Sequence, residues 1–186
     1  NSSNDAIINP KANHYHMSKG MAEMLCKMYH NQGFFNVVSL RISAPYGYTG
    51  NNIAVIPKFI SKAINNETIE VWGTGKRSQT FTFVEDIGLA CELAYLHNGV
   101  KQASYSISGN ESISMTFLAS QVIKAFQPTK SKIVYLEKED PLEDSGNVVL
   151  SDLAKKDFDY EPKFDITKGL SAIANNRSKT LARIKE

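Results

Sequence analysis

The chain has 186 residues, of which 42% are hydrophobic and 22% are charged, so its composition excludes disorder as its main state. Lysine and arginine together number 21 against 19 acidic residues, and this balance excludes a general nucleic-acid binder. No apolar run approaches the roughly 18 residues of a membrane-spanning helix. Cys26 and Cys91 form neither a disulfide framework nor a zinc site, and no cluster of His, Cys, Asp and Glu has metal spacing. A reducing, cytoplasmic location is therefore expected.

The first half of the chain alternates helical and β-branched segments, which is typical of an α/β fold. Residues 15–31 carry apolar side chains three and four positions apart and predict a helix that ends at Gly33. The pattern then predicts a strand over 36–43, a loop over 44–52, a helix over 53–65, and strands over 68–72 and 79–84.

The second half continues the same alternation. A helix is predicted over 86–97, capped from Glu85 or Asp86, and a strand over 104–108. Ser114 is expected to cap a helix that runs to Phe126, followed by a strand over 132–136 and an acidic loop over 137–147. Two last helices are predicted after Ser151 and Asp165, and the polar tail 175–186 is expected to fray.

Tyr15 and Lys19 form a Tyr-x-x-x-Lys motif on the first predicted helix. Residues four positions apart lie on one helix face, one turn from each other. An ammonium near a phenol favours the phenolate, which can take or return a hydroxyl proton during hydride transfer. The motif is short and occurs by chance, so an ordinary surface Tyr and Lys is the alternative interpretation.

Seven short segments place this motif in a longer pattern. They are Pro10 with Tyr15–Lys19, Leu40–Gly47, Ile56–Ile60, Ile69–Gly75, Phe81–Asp86, Tyr105–Gly109 and Asp157–Pro162. In this order and at this spacing, they resemble the extended short-chain dehydrogenase/reductase family, in its NAD-dependent nucleotide-sugar epimerase/dehydratase branch. The resemblance covers residues 8 to about 174.

The fold that this resemblance implies is α/β, namely the C-terminal portion of a Rossmann-type parallel sheet domain plus a small mixed α/β substrate-binding lobe. Residues 1–48 would end the NAD-binding domain, 79–108 would return a strand and helix to its sheet, and 49–78 and 109–174 would form the lobe before a tail, 175–186. Family members begin with a Gly-rich phosphate turn. This sequence contains no Gly-x-x-Gly-x-x-Gly, so it is expected to be part of a longer protein and inactive as an isolated fragment.

The activity that the resemblance implies is that of an NAD-dependent nucleotide-sugar epimerase similar to UDP-glucose 4-epimerase, in carbohydrate metabolism and cell-surface polysaccharide biosynthesis. A nucleotide-sugar 4,6-dehydratase or reductase remains an alternative, as does a non-catalytic remnant that only binds sugar nucleotides. NADP as the cofactor also stays open, because the segment that reads the ribose 2′ position lies outside this chain. No nucleic acid or membrane partner is expected. A homodimer is expected through the helix that contains Met21, Met24 and Met28.

The site residues carry over by position from the family. Tyr15 and Lys19 would be catalytic and, with Ala44 and Pro45, would contact the cofactor. The substrate would be bound by Ser43, Asn51, Asn52, Trp72, Arg77 and Gln79.

Two departures from the family pattern concern the substrate. Many relatives place Asn at the position of Ala44, so Ser43, Asn51 or Asn52 would have to compensate. The acidic loop that begins at Glu137 would repel a diphosphate unless Lys138 turns inward.

Overall fold

The structure is a computed structural model that describes residues 14–34, 36–48, 54–97, 101–140 and 149–176. Within these ranges six helices alternate with eight short strands. The helices are α1 (His14–Asn31), α2 (Val55–Ile64), α3 (Val84–Leu96), α4 (Met115–Ala125), α5 (Asp152–Phe158) and α6 (Ile166–Asn175). The strands are β1 (Ser39–Ile42), β2 (Pro45–Tyr46), β3 (Ile69–Trp72), β4 (Ser78–Thr80), β5 (Thr82–Phe83), β6 (Ser104–Ile107), β7 (Ser112–Ser114) and β8 (Ile133–Leu136).

The described strands pair two by two, mostly in parallel. Strand β1 pairs with β6, β2 with β5 and β3 with β8, each in parallel, whereas β4 pairs with β7 in antiparallel fashion. Parallel pairs need crossover connections, and helices α2, α3 and α4 occupy those connections. The alternation predicted from the sequence is therefore confirmed, although the segment predicted as one strand over 79–84 is divided between β4, β5 and the start of α3.

Two clusters of buried side chains hold these elements together. The larger cluster joins α2, α4 and α6 to strands β3 and β5, with Phe83, Leu118 and Leu170 fully buried. The smaller cluster joins α3, β6 and α5 around Tyr105 and Phe158. No helix among the described residues is long and apolar enough to cross a membrane.

The predicted helix caps are partly confirmed. Ser114 accepts a hydrogen bond from the backbone N–H of Phe117, and Asp165 accepts one from Lys168, so both serve as N-caps. The Ser151 cap was wrong, because the Ser151 hydroxyl instead accepts a hydrogen bond from the backbone N–H of Ser108.

The cap predicted for the third helix was also wrong. Helix α3 starts after Phe83 without a side-chain cap. Asp86 lies inside its first turn and accepts hydrogen bonds from the backbone N–H groups of Lys163 and Phe164. Burial raises the pKa of Asp86. This carboxylate therefore connects α3 to the segment before α6 rather than capping its own helix.

Helix α1 is attached to the rest of the described structure by an ion pair. Not one of the residues of α1 is buried. Arg41 on β1 donates from Nε to Glu23 Oε2 at 2.8 Å, and its Nη2 contacts the other Glu23 oxygen. The two-point contact between guanidinium and carboxylate fixes direction as well as distance. The pair therefore sets the orientation of α1 relative to β1.

Acid is expected to loosen this attachment. The hydrogen bond from Arg41 holds the pKa of Glu23 below its usual value. A lowered carboxyl pKa contributes stability that is present above the unfolded-state value and is lost as the pH falls through the folded-state value. The urea concentration at the midpoint of unfolding should therefore decrease as the pH is lowered from 6 to 3. This decrease should be smaller in Glu23→Gln. Glu92→Gln, an exposed change on α3, should follow the wild type. Equal acid dependence in Glu23→Gln would contradict the assignment.

Candidate active site

A cavity of about 1150 Å³ connects the first helix to the turn after β3. Its volume is large for a small-molecule site. Its wall combines apolar side chains with a few polar and charged groups, as ligand sites do. Residues from α1, the β1–β2 connection, the start of α2 and strands β3 and β4 contribute to it, among them Tyr15, Ala44, Pro45, Trp72, Arg77, Gln79 and Asp140.

Tyr15 lines this cavity and has a cation beside its ring. It is 59% exposed, so its hydroxyl is accessible to a ligand. The Lys19 ammonium lies 5.8 Å from the centre of the Tyr15 ring, as the helical spacing predicts. The two side chains therefore share one face of α1, with the ammonium next to the phenol ring.

Two other tyrosines line the cavity, and their surroundings differ from that of Tyr15. Burial raises the pKa of Tyr46, whose hydroxyl points to the backbone oxygen of Asp165 at 3.4 Å. Tyr48 donates a hydrogen bond to Glu85 at 2.5 Å, and this bond raises its pKa. Both environments favour the neutral phenol. Of the three phenols, Tyr15 is the one that the structure places beside an ammonium.

A glycine turn lies between Trp72, the last residue of β3, and Arg77. Gly73 and Gly75 have φ values of 57° and 70°, in the left-handed region that L side chains rarely adopt. The turn reverses the chain between β3 and β4, so Trp72 and Arg77 both reach the cavity wall. Trp72 is 40% exposed and offers a flat apolar face.

The segment that follows β8 meets these two side chains. The backbone N–H of Gly73 donates to the carbonyl oxygen of Lys138 at 2.9 Å, which extends the β3–β8 pairing by one step. The Lys138 ammonium lies 3.7 Å from the centre of a Trp72 ring. Arg77 Nε lies 3.4 Å from Asp140 Oδ2, and Arg77 Nη2 lies 3.4 Å from the Met115 sulfur.

The structure brings most of the sequence-predicted site residues to this one cavity. Ala44, Pro45, Trp72, Arg77 and Gln79 line it together with Tyr15. Ser43 has a different environment, since its hydroxyl donates to the backbone oxygen of Thr80 at 2.9 Å and lies 2.8 Å from the Thr80 hydroxyl. Asn51 and Asn52 lie outside the described residues.

Sequence reasoning missed several residues of the cavity wall. Lys58, Tyr48 and Asp140 line it, although none of them was predicted to contact a ligand. The sequence did indicate an acidic segment after β8, but it gave no reason to place one carboxylate against Arg77. That contact depends on the pairing of β3 with β8, which joins residues far apart in the chain.

Comparison with known protein families gives a match over residues 2–108 to the model described as NAD dependent epimerase/dehydratase family. A relative of known activity is the dTDP-D-glucose 4,6-dehydratase of Dictyostelium discoideum, with 32% identity over 123 residues, which are 66% of this chain and 28% of that enzyme. The chain thus aligns with less than a third of that relative's length.

Solved structures show the same fold. The Bordetella bronchiseptica enzyme WbmF, solved with NAD+ and UDP, matches 96% of this chain and 57% of its own with a TM-score of 0.80 at 22% identity. The UDP-glucose 4-epimerase of Thermotoga maritima, solved with UDP-glucose, matches 90% of this chain and 54% of its own with a TM-score of 0.76 at 19% identity. The predicted α/β fold, with part of a Rossmann-type sheet, is confirmed by these likenesses.

Proposed function

The chain belongs to the NAD dependent epimerase/dehydratase family, and we propose that it binds a nucleotide sugar and acts in an NAD-dependent 4-epimerisation of it. One observation carries the proposal. Tyr15, with the Lys19 ammonium beside its ring, lines the same cavity as Trp72 and Arg77. The cavity wall thus offers a proton acceptor at Tyr15, together with an aromatic face and a guanidinium for a nucleoside diphosphate.

The proposed chemistry begins with a proton transfer to Tyr15. Its phenolate oxygen takes the proton of the sugar hydroxyl, and the Lys19 ammonium stabilises the phenolate before the proton arrives and again after it has left. When bound, NAD would supply the hydride acceptor for the sugar carbon. The residues fit such a group, because Ala44 and Pro45 line the same cavity as Tyr15 and would offer small apolar contacts to a nicotinamide ring. Tyr15 finally returns its proton to the sugar oxygen, which re-forms the hydroxyl.

The proposed substrate contacts are other residues of the cavity wall. Trp72 would stack on the base, and the Arg77 fork would bind phosphate oxygens. Gln79 lies in the same wall and would reach the sugar or ribose through its amide. Ser43 would contribute only if its hydroxyl left Thr80, and roles for Asn51 and Asn52 stay predictions.

A second reaction, 4,6-dehydration, is supported by the relative from Dictyostelium, which is described as a dTDP-D-glucose 4,6-dehydratase. It would begin with the same proton transfer to Tyr15, and a reductase would use the same pair in the return step. The isolated 186-residue chain is proposed to bind sugar nucleotides without turnover, because its sequence contains no Gly-rich phosphate turn for the NAD pyrophosphate.

Product analysis on the native polypeptide that contains this chain tests the proposal. With NAD and UDP-glucose, epimerisation should give UDP-galactose, which has an unchanged mass and an inverted C4 centre by NMR. A product that has lost one water from UDP-glucose or dTDP-glucose would show that the activity is that of a dehydratase and not of an epimerase. Nucleotide-sugar binding without any product would favour the non-catalytic alternative, and absence of binding would overturn the proposal.

Assembly and location remain proposals as well. A homodimer through α1 is supported by Met21, Met24 and Met28, which are 63%, 57% and 40% exposed on a helix without a buried residue. Exposed apolar stripes of this kind favour a protein partner, and the mass in solution would decide it. A cytoplasmic location is supported by the two free cysteines, Cys26 and Cys91.

A further inference from the structure

The cavity wall contains a carboxylate next to Arg77 that the proposed function does not use. Asp140 lines the cavity, and its side chain is only 6% exposed beside Arg77, whose side chain is 20% exposed. A buried acid next to the guanidinium proposed to bind phosphate occupies the position of an anionic ligand. A specificity role for this pair rests on the proposed function.

The contact between the two groups is looser than a formed hydrogen bond. Arg77 Nε lies 3.4 Å from the Asp140 carboxylate, yet this buried nitrogen has no hydrogen-bond partner among the described residues. Among the described residues, the Arg77 Nη2 group contacts only the sulfur of Met115, which is a weak acceptor. Asp140 therefore supplies negative charge to Arg77 without satisfying its donors, and a phosphate with two oxygens could satisfy them better.

Two lysines in this part of the structure have contacts of their own. Lys62 is engaged with Glu70 at 3.2 Å and with the backbone oxygen of Thr68 at 3.0 Å. The Lys138 ammonium lies over the Trp72 ring. The Asp140 carboxylate lies next to Arg77, so each further negative charge on a ligand bound there is opposed by it.

We propose that Asp140 is a specificity-determining residue that favours nucleotide sugars over free nucleoside diphosphates. The diphosphate of a nucleotide sugar is esterified at both ends and carries two negative charges. A free nucleoside diphosphate has a terminal phosphate whose second ionisation is nearly complete above a pKa of about 6, so its charge approaches three. When the phosphates contact Arg77, this additional negative charge is repelled by the Asp140 carboxylate. Discrimination of this kind acts through repulsion of the competing ligand.

The test compares three ligands on matched variants of the 186-residue chain. Calorimetry at pH 7.5 and low salt would give the Kd of UDP, UDP-glucose and uridine. Asp140→Asn is expected to strengthen UDP binding about tenfold and UDP-glucose binding about threefold, with uridine unchanged. Glu139→Gln removes the neighbouring exposed charge and should change each Kd less than about twofold. Asp140→Ser should follow Asp140→Asn, which separates loss of charge from loss of shape.

Several outcomes would overturn the inference. Weaker UDP binding in Asp140→Asn would mean that Asp140 holds Arg77 in place, and a gain shared by uridine would mean a general effect on the cavity. Arg77→Gln separates this failure from failure of the proposed function. If Arg77→Gln weakens UDP-glucose binding while Asp140→Asn does not change the ligand ratio, only the inference fails. If Arg77→Gln leaves binding unchanged, the nucleotide site lies elsewhere and both fail.

Discussion

Turnover by the native polypeptide is expected to fall by about 10²- to 10⁴-fold when Tyr15 is replaced by Phe. The change keeps the aromatic ring, which is 59% exposed at the cavity end of α1, and removes the one oxygen proposed to carry the proton. Because no residue of α1 is buried, the variant should fold as the wild type does. The loss should therefore be confined to the chemical step, and steady-state kinetics would measure it.

Ligand binding separates a chemical role of Tyr15 from a structural one. The proposed nucleotide contacts, Trp72 and Arg77, are other residues of the cavity wall, so the Kd of UDP should stay unchanged in Tyr15→Phe. Lys19→Met should also lower turnover, because it removes the ammonium that lies 5.8 Å from the ring centre. Tyr95→Phe is a matched control, since this side chain is 88% exposed on α3. If Tyr15→Phe retained half of the wild-type turnover, the catalytic assignment would be wrong.

The parts of the fold that the sequence predicts well are those with a local cause. Helix α1 was predicted from its apolar spacing and from Gly33, which has a φ of 70° after the last turn. Ser114 and Asp165 cap their helices because the donor of each capping bond lies three residues along the same chain. Such contacts need no knowledge of the rest of the molecule.

The wrong predictions have a tertiary cause. Ser151 could have capped α5, but β6 ends close to it. The backbone N–H of Ser108 donates a hydrogen bond to the Ser151 hydroxyl instead. Asp86 accepts hydrogen bonds from the backbone N–H groups of Lys163 and Phe164, which are distant in sequence. For each of these side chains, tertiary packing determines which backbone N–H group becomes the hydrogen-bond partner. A local sequence pattern cannot identify that partner.

The candidate site divides in the same way. The pairing of Tyr15 with Lys19 follows from helical spacing, and the glycine turn indicates where Trp72 and Arg77 are presented. The position of Asp140 against Arg77 follows from the β3–β8 register, which no motif near either residue encodes. Catalytic residues could therefore be proposed from the sequence, whereas the charge that surrounds the phosphate position required the structure.

Gly109→Ala is expected to destabilise the chain by about 3 kcal/mol, at the upper end of the cost of overpacking a core. Gly109 lies between β6 and β7, where the chain passes the segment that joins β4 to β5. A Cβ at this position would lie 2.2 Å from the carbonyl oxygen of Phe81. A backbone oxygen cannot rotate away as a side chain can, so the peptide of Phe81 has to move.

The same displacement should reach the candidate site. Phe81 is 9% exposed and lines the cavity, and its neighbour Thr80 accepts a hydrogen bond from Ser43 through its backbone oxygen. We therefore expect Gly109→Ala to weaken UDP binding as well as to lower the free energy of unfolding. Urea denaturation would measure the stability, and calorimetry of UDP on the folded fraction would measure the binding.

Gly88→Ala provides the matched control for the same chemical change. Gly88 lies within α3, and a Cβ there would meet nothing within 4 Å. Because glycine inside a helix is less favourable than alanine by about 1 kcal/mol, this variant should be more stable than the wild type. Opposite signs for the two Gly→Ala changes would show that the close approach of Gly109 to Phe81 causes the loss. A Gly109→Ala protein as stable as the wild type would mean that the two backbone segments do not meet as the structure places them.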